Sequence, residues 1–322
     1  MGSLKISYLI ENQFYNFYFN SFFNILLEGY ATYKFFSLLK KKQILITYGE
    51  FFVHNRFAYH NFKKINLNNI IISIQHSMNG RFYGATYNNK SEFNQNNKWD
   101  SIMYSPAPDY YLAQGEQYQK ILNTFYPKKN TSIIGSFKTK LYLDKIKRKS
   151  YYKNKIDKYF QIEGYKLCLI APSSNDLNFI FNFLKTFNFP KKWKVIISPH
   201  RASSISLLKK LSNYFIINQK FSTIELLTRA NLIITGFSSL AHESALFKVP
   251  ACRLINVSEM PLYEDDINVS LIKNHEDLNK TFASLSKNQI SENFKRSYEY
   301  YYFRTDAKAD ERFYKFINKL NN

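Results

Sequence analysis

The chain has 322 residues, of which 45% are apolar and 21% charged, and its 45 Lys and Arg against 24 Asp and Glu give a net charge of +21. This length suits two domains, and the globular composition excludes a disordered or fibrous chain. The basic surplus fits three partners: nucleic acid, an anionic membrane surface, or phosphorylated small molecules. A codon bias towards Lys, Asn, Ile, Phe and Tyr is the other explanation for part of it.

Further classes are excluded by what the sequence lacks. Its two cysteines, Cys168 and Cys252, lie in apolar runs, so we expect buried reduced thiols and neither a disulfide nor a zinc site. No apolar stretch reaches the roughly 18 residues of a membrane-spanning helix, and no secretory signal opens the chain. We therefore expect a cytoplasmic protein, with peripheral contact to the inner face of the cytoplasmic membrane as an extension of this prediction.

The first half predicts one long helix followed by alternating strands and helices. Aromatic residues recur at helical spacing between residues 13 and 42, which indicates a helix with a wide apolar face. We interpret that face as core-facing, and the alternative is a helix that lies on a membrane surface. Strands are predicted at 44–47, 70–74, 110–113 and 132–134, with helices at 51–64 and 116–125. Such alternation is typical of a parallel sheet.

Two segments differ in composition from their surroundings. Residues 81–108 are polar and Asn-rich, which predicts a long functional loop. Residues 138–164 are basic and Tyr-rich, and we place the linker between domains there, with a helix at 149–160 and lysines that form a solvated face. The predicted domains are therefore 1–145 and 146–322.

The second half predicts a doubly wound sheet. Strands are expected at 166–171, 194–198, 215–218, 232–235 and 251–255, and helices at 176–187, 204–211, 223–229 and 240–247. Two terminal helices, at 294–302 and 309–320, are expected to pack back across the cleft between the domains. The predicted fold class is α/β, with two Rossmann-like domains.

In such sheets ligands bind at the carboxyl ends of the strands, so residues directly after each strand are candidate site residues. Ser173 and Ser174 follow the first strand of the second half, where they either cap a helix or bind phosphate. His200 and Arg201 follow the second strand. An imidazole beside a guanidinium can neutralise a phosphate.

The most specific local signal is Gly236-Phe237-Ser238-Ser239, followed by Glu243. Gly236 lets the backbone approach a ligand closely, and Ser238 and Ser239 begin a helix whose amide groups favour an anion. Glu243 lies one turn further on, where it either receives ribose hydroxyls or only complements the helix dipole. These residues predict a nucleotide site.

Residues 230–239, with the sequence ANLIITGFSS, and the later Glu243-Ser244 and Pro250 resemble a motif of GT-B glycosyltransferases that assemble bacterial surface polysaccharides. That group includes CDP-glycerol glycerophosphotransferases, polysialyltransferases and capsule Kdo transferases. The chain departs from the group at two places. Pro199-His200 reverses its His-Pro pair, and His76 is followed by Ser77 where the group has glycine.

The resemblance implies a GT-B enzyme with its active site in the cleft between two domains. It would transfer a sugar from a CMP-activated donor, sialic acid-like or Kdo-like, to a surface glycan or lipid-linked acceptor in capsule or lipooligosaccharide synthesis. The alternatives are a CDP-glycerol-type phosphotransferase and a UDP-sugar transferase or 2-epimerase of the same fold. The alternative that is not an enzyme is a basic RNA-binding protein. The sequence lacks an RNA-binding signature, so we expect no nucleic acid partner.

On the donor side, the resemblance implies that Ser238 and Ser239 bind the phosphate, that His200 donates to the leaving group, and that Glu243 holds the ribose. On the catalytic side, it implies that His76 is the general base, because an imidazole titrates near neutral pH.

Glu50, at a similar strand end, is the alternative base, and Arg81 would bind a donor or acceptor carboxylate. No Asp-x-Asp pair occurs in a cleft-like context. We therefore expect a metal-independent reaction with no cofactor beyond the nucleotide-sugar co-substrate, in which dipoles, His and Arg meet the donor charge.

Overall fold

A computed structural model describes residues 23–39, 41–48, 53–75, 107–124, 126–173, 176–200, 211–255, 269–286 and 294–321. The described residues divide into two compact units. The first holds those up to 113 together with 119–132, and the second holds 114–118 together with those from 133 onward. The predicted loop at 81–108 falls almost wholly outside the described residues, as does the helix predicted at 204–211.

A parallel sheet organises the first part of the chain. Its strands are β1 (Ile44–Tyr48), β2 (Ile70–Ile74), β3 (Tyr110–Ala113) and β4 (Thr131–Ile133), and they lie side by side in that order. The helices are α1 (Phe23–Ser37), α2 (Val53–Ile65) and α3 (Glu116–Leu122), and a 3₁₀ turn, Lys128–Asn130, leads into β4. The pairs β1–β2 and β2–β3 are parallel. All four predicted strands are confirmed.

Helix α1 packs on α2 through one face. The ring of Phe36 is buried and lies 4.9 Å from the ring of Phe62, edge to face. The Asn61 side-chain amide donates to the carbonyl of Gly29 at 2.7 Å and to the hydroxyl of Thr32 at 2.9 Å. The opposite side exposes apolar and aromatic side chains: Leu27, Tyr30, Phe35 and, just beyond the helix, Leu38. The described part of α1 therefore has one face against α2 and one exposed face. The side chains at 14–26, on which the core-facing interpretation rested, lie outside those described, so that interpretation stays a prediction.

The segment in which we placed the linker forms two helices, α4 (Lys138–Lys147) and α5 (Lys149–Phe160), of which only α5 was predicted. Tyr142 of α4 and Ile156 of α5 are buried in the core of the second unit. Asp157 of α5 forms a buried ion pair with Arg229. These helices therefore pack against the second sheet, while most of their lysines face solvent.

The second sheet has six strands, β5 (Lys166–Ile170), β6 (Trp193–Ile197), β7 (Ile216–Ile217), β8 (Leu232–Thr235), β9 (Ala251–Leu254) and β10 (Val269–Ile272). They lie in the order β10-β9-β8-β5-β6-β7, and all five pairings are parallel. Counted from β5 this is the order 3-2-1-4-5-6 of a doubly wound Rossmann sheet, with its switch point between β5 and β8. The sequence did not predict β10, which buries only its first and last residues.

Six further helices belong to the described part of the second unit: α6 (Leu177–Leu184), α7 (Thr223–Leu227), α8 (Leu240–Glu243), α9 (His275–Ser286), α10 (Phe294–Tyr302) and α11 (Ala309–Asn321). The predicted helix at 240–247 is wrong in type beyond Glu243, because Ser244–Phe247 is a 3₁₀ turn. Helix α9 was not predicted. The described helices include none that is both long and apolar enough to cross a membrane.

The central strands of the second sheet are buried because their residues are mostly apolar. β5 and β8 are almost fully buried runs, as expected for parallel strands that are covered on both faces. Cys168 of β5 and Cys252 of β9 are buried free thiols, which confirms that prediction. Such a rigid sheet fixes the positions of the loops at its carboxyl edge.

Candidate functional site

Strands β5 and β8 place two loops side by side at the switch point of the second sheet. Ile170 pairs with Ile234, and the amide of Ala171 donates to the Ile234 carbonyl at 2.9 Å. The loops that follow, 171–173 and 236–239, therefore leave the same edge of adjacent strands. The predicted site residue Ser173 is thus brought to the loop that carries Gly236, Ser238 and Ser239.

Asp176 ties these two loops together. Its side chain is 2% exposed, and its carboxylate accepts the amide of Ser173 at 2.7 Å and the amide of Phe237 at 2.6 Å. Burial raises the pKa of Asp176 above its ordinary value, although these amides and the Arg253 charge act in the opposite direction. This role was not predicted, because the predicted helix at 176–187 took Asp176 as its first residue, whereas the helix begins at Leu177.

The structure shows why position 236 requires glycine, which the sequence did not reveal. A Cβ at this position would overlap Oδ2 of Asp176 and lie 2.7 Å from its Cγ. The carboxylate cannot move aside without losing its two amide donors. Glycine is therefore needed here for the approach of Asp176, in addition to any approach of a ligand.

Glu243 is buried and holds three donors. It is 3% exposed, and its Oε2 accepts the Tyr142 hydroxyl at 2.5 Å. Its Oε1 accepts the Lys138 ammonium and the Ser239 hydroxyl, each at 3.2 Å. A carboxylate offers about four acceptor positions, and these donors occupy three of them.

The two serines of the loop differ in their hydrogen bonds. Ser239 donates its hydroxyl to Glu243, whereas Ser238 Oγ accepts the amide of Leu240 at 3.3 Å. An oxygen that accepts an amide leaves its own proton directed elsewhere. Ser238 is therefore the better placed of the two to donate to an anion.

A buried arginine stabilises the loop that carries Gly236. Arg253 of β9 donates to the carbonyl of Gly236, and its Nη2 lies 3.1 Å from Nε2 of His242. The His242 ring lies 3.8 Å from the Tyr301 ring of α10, centroid to centroid. Burial, with the Arg253 charge, lowers the pKa of His242 well below its ordinary value, so its imidazole is neutral. Arg253 was not predicted as a site residue, although a charged residue within an apolar strand is a signal for one.

The end of β6 forms the third part of this edge. The hydroxyl of Ser198 is buried, lying 2.8 Å from that of Thr223 and 3.2 Å from Nδ2 of Asn218. Two residues later His200 is exposed. Since β6 pairs with β5, the predicted donor His200 lies on the same sheet edge as the switch-point loops.

Five predicted site residues lie outside the described residues: Glu50, His76, Arg81, Ser174 and Arg201. Their predicted roles stay predictions. Gln75, directly before His76, is buried, and its amide donates to the Leu112 carbonyl of β3 at 3.0 Å. Within the described part of the chain, no group of three or more His, Cys, Asp or Glu is arranged to hold a metal ion.

Neither protein-family models nor curated proteins match the sequence. Solved structures do match the fold. A protein assigned as a UDP-N-acetylglucosamine 2-epimerase from Listeria monocytogenes has a TM-score of 0.57 and 12% identity, over 92% of this chain and 79% of that one. The UDP-GlcNAc 2-epimerase of Methanocaldococcus jannaschii, solved with UDP-GlcNAc and UDP, has a TM-score of 0.56 and 15% identity, over 91% and 80%.

This chain has a GT-B-type fold. At these identities the likeness shows the fold alone, and it confirms the predicted fold class of two Rossmann-like α/β units. A weaker match is the wall teichoic acid polymerase TagF, with a TM-score of 0.48 and 14% identity over 99% of this chain and 100% of that one.

Proposed function

We propose that this GT-B-type protein is a nucleotide-sugar-dependent transferase whose second unit binds the donor nucleotide at the switch point. The observation that carries the proposal is the pair of loops after β5 and β8, held together by Asp176 around a glycine. In open α/β sheets the switch point is where ligands bind. Fold neighbours of this chain include an enzyme solved with UDP-GlcNAc and UDP.

The hydrogen bonds favour a division of labour on the donor side. Ser238 would donate to the donor phosphate, with the amides of the loop beside it, and Ser239 would orient Glu243. Glu243 would receive a ribose hydroxyl at its remaining acceptor position. His200, exposed at the end of β6, would donate to the departing phosphate, and Arg201 would add positive charge.

The donor in this proposal carries a pyrimidine nucleotide. The sequence motif implies a CMP-linked sugar or CDP-glycerol, while the fold neighbours with TM-scores above 0.5 are a UDP-GlcNAc 2-epimerase and a protein assigned to the same activity. Cytidine and uridine nucleotides are therefore the probes to compare. The acceptor would be a surface glycan or lipid-linked saccharide, with His76 or Glu50 as base and Arg81 on a carboxylate. Independence from metal ions and from further cofactors stays a prediction.

Calorimetric titration of the full chain with CMP, CDP, UDP, UDP-GlcNAc and a short oligonucleotide tests the proposal. We expect saturable binding of at least one nucleotide, and weaker binding to the Ser238→Ala variant. Ser284→Ala, which removes an exposed hydroxyl of α9, is the matched control. If no nucleotide binds, the proposal is wrong. If only the oligonucleotide binds, and high salt abolishes that binding, the RNA-binding alternative is favoured.

A second candidate, a UDP-sugar 2-epimerase, is favoured by the two fold neighbours with TM-scores above 0.5. The two functions differ in their need for an acceptor. An epimerase converts UDP-GlcNAc in the absence of any acceptor, and a transferase requires one. Chromatography of UDP-GlcNAc incubated with the protein alone separates the candidates.

A further inference from the structure

The exposed face of α1 is unusual for a helix in contact with water. Leu27, Tyr30 and Lys34 follow one another at spacings of three and four residues, which places them on one face. Leu27 is 51% exposed and Tyr30 is 61% exposed, and Leu38, directly beyond the helix, is 75% exposed. Phe35 adds an aromatic ring at the edge of this face with 62% exposure. Contiguous apolar exposure of this kind marks an interaction surface.

Lysines accompany the apolar side chains. Lys34 lies on the same face, and its ammonium is 5.6 Å from the centre of the Tyr30 ring. Lys41 and Lys42 follow the helix and are exposed. Among the described residues none of the three forms an ion pair with a carboxylate, so their charge is available to a partner.

We propose that this face, defined by Leu27, Tyr30, Lys34, Phe35 and Leu38 with Lys41 and Lys42, binds the surface of an anionic lipid bilayer. Leucine and phenylalanine side chains would enter the boundary between headgroups and acyl chains. Tyrosine rings favour the headgroup level, and lysines reach outward to lipid phosphates.

Charge selects this partner over a second copy of the chain. Each copy carries a net charge of +21, so two copies repel each other, while an anionic surface attracts every lysine of the face. The opposite face of α1, which packs on α2, leaves the exposed face free to meet a membrane. Phe36, Gly29 and Thr32 hold α1 on α2, so the helix presents its apolar side without unfolding. This inference is independent of the nucleotide site.

Vesicle co-sedimentation of the full chain tests the proposal. We expect binding to phosphatidylcholine vesicles that contain about 30% phosphatidylserine, a decline with salt, and little binding to phosphatidylcholine alone. The triple variant Lys34→Gln, Lys41→Gln, Lys42→Gln should bind about a hundredfold more weakly, at about fivefold per lysine. The matched control is Lys149→Gln, Lys153→Gln, Lys158→Gln, which removes equal charge from exposed positions of α5. It should retain binding.

A second pair of variants tests the apolar component. Tyr30→Glu with Leu38→Glu should abolish binding, whereas Tyr151→Glu with Tyr314→Glu, at comparably exposed positions, should not. Thermal unfolding of each variant checks that it folds. Equal losses in the α5 control would overturn the proposal in favour of general basicity. The proposal would also be overturned if the wild-type protein did not bind anionic vesicles. A wild-type dimer that the double variant Tyr30→Glu, Leu38→Glu converts to a monomer would likewise overturn it.

Discussion

The two parallel sheets of this protein differ in the order of their strands. The described strands of the first follow chain order, β1-β2-β3-β4, so they contain no switch point. In the second, the chain runs from β5 outward to β6 and β7 and then returns to β8 on the other side. The connections that follow β5 and β8 therefore run to opposite sides of the sheet, and this switch point is where open α/β sheets bind ligands. Under the proposed function, the nucleotide would bind at the second sheet and the first unit would supply the catalytic base.

Two buried carboxylates within the second unit sharpen this difference. Asp176 accepts backbone amides, which belong to the loops themselves, so it fixes loop geometry. Glu243 accepts only side-chain donors, from Tyr142, Lys138 and Ser239, so it does not fix the backbone of the loops. We expect Asp176 to act through stability and Glu243 through ligand recognition.

The largest expected effect tests the division of roles between the two units. His76→Ala should lower turnover by about 10²- to 10⁴-fold, the range of a general base, and leave nucleotide affinity within about twofold. Nucleotide release in the presence of acceptor measures the first, and calorimetry the second. If turnover is normal, His76 is not the base, and Glu50→Gln becomes the decisive variant. A large loss of affinity would contradict the separation of roles.

The next effect concerns the switch point. Gly236→Ala should weaken nucleotide binding at least tenfold and lower the free energy of unfolding by about 1–3 kcal/mol, because its Cβ displaces the buried Asp176 carboxylate. Denaturant unfolding and calorimetry measure the two effects. Gly164→Ala is the control. Its Cβ meets nothing within 4 Å and its φ of 78° adds only backbone strain, so it should destabilise without loss of affinity.

Asp176→Asn should cost about 1–3 kcal/mol of stability, because an amide group can accept only one of the two backbone amides. Burial raises the pKa of Asp176 above its ordinary value of 3.8 in the folded protein. The folded state therefore keeps this proton at a pH where the unfolded chain has lost it, and wild-type stability falls as pH rises through that interval. The difference in free energy of unfolding between wild type and Asp176→Asn should therefore become smaller as pH rises through this interval. Urea unfolding at several pH values measures this difference. A deficit independent of pH would contradict this account.

The smallest effect tests ribose recognition. Wild-type protein should prefer a ribonucleotide over its 2′-deoxy or 3′-deoxy analogue by about tenfold, through the hydrogen bond to Glu243. Glu243→Gln should reduce this preference, in a cycle that compares both ligands on both proteins. Glu225→Gln, on α7 and paired with Lys145, is a control that should leave it unchanged. A preference that survives in Glu243→Gln assigns the ribose elsewhere.

Periodicity and strand-end position were enough to predict most of the elements and the candidate site loops. The strand at 232–235 and the glycine and serines that follow it were readable because a buried parallel strand is a continuous apolar run that ends in a loop. Strand β10 and helix α4 were not readable. β10 lies at the edge of its sheet and exposes Ser270 and Leu271, while the basic composition of α4 resembles a solvated linker.

The sequence by itself determined the α/β class, the order of elements in the second half, and the residues that reach the carboxyl edge of its sheet. Only the tertiary structure decided which of them meet. Asp176 reaches Phe237 across 61 positions of the chain, and Tyr142 reaches Glu243 across 101. Local propensity carries no information about such distant pairs. They follow from the strand order of the sheet, which brings β5 beside β8 and thereby joins the two loops through Asp176.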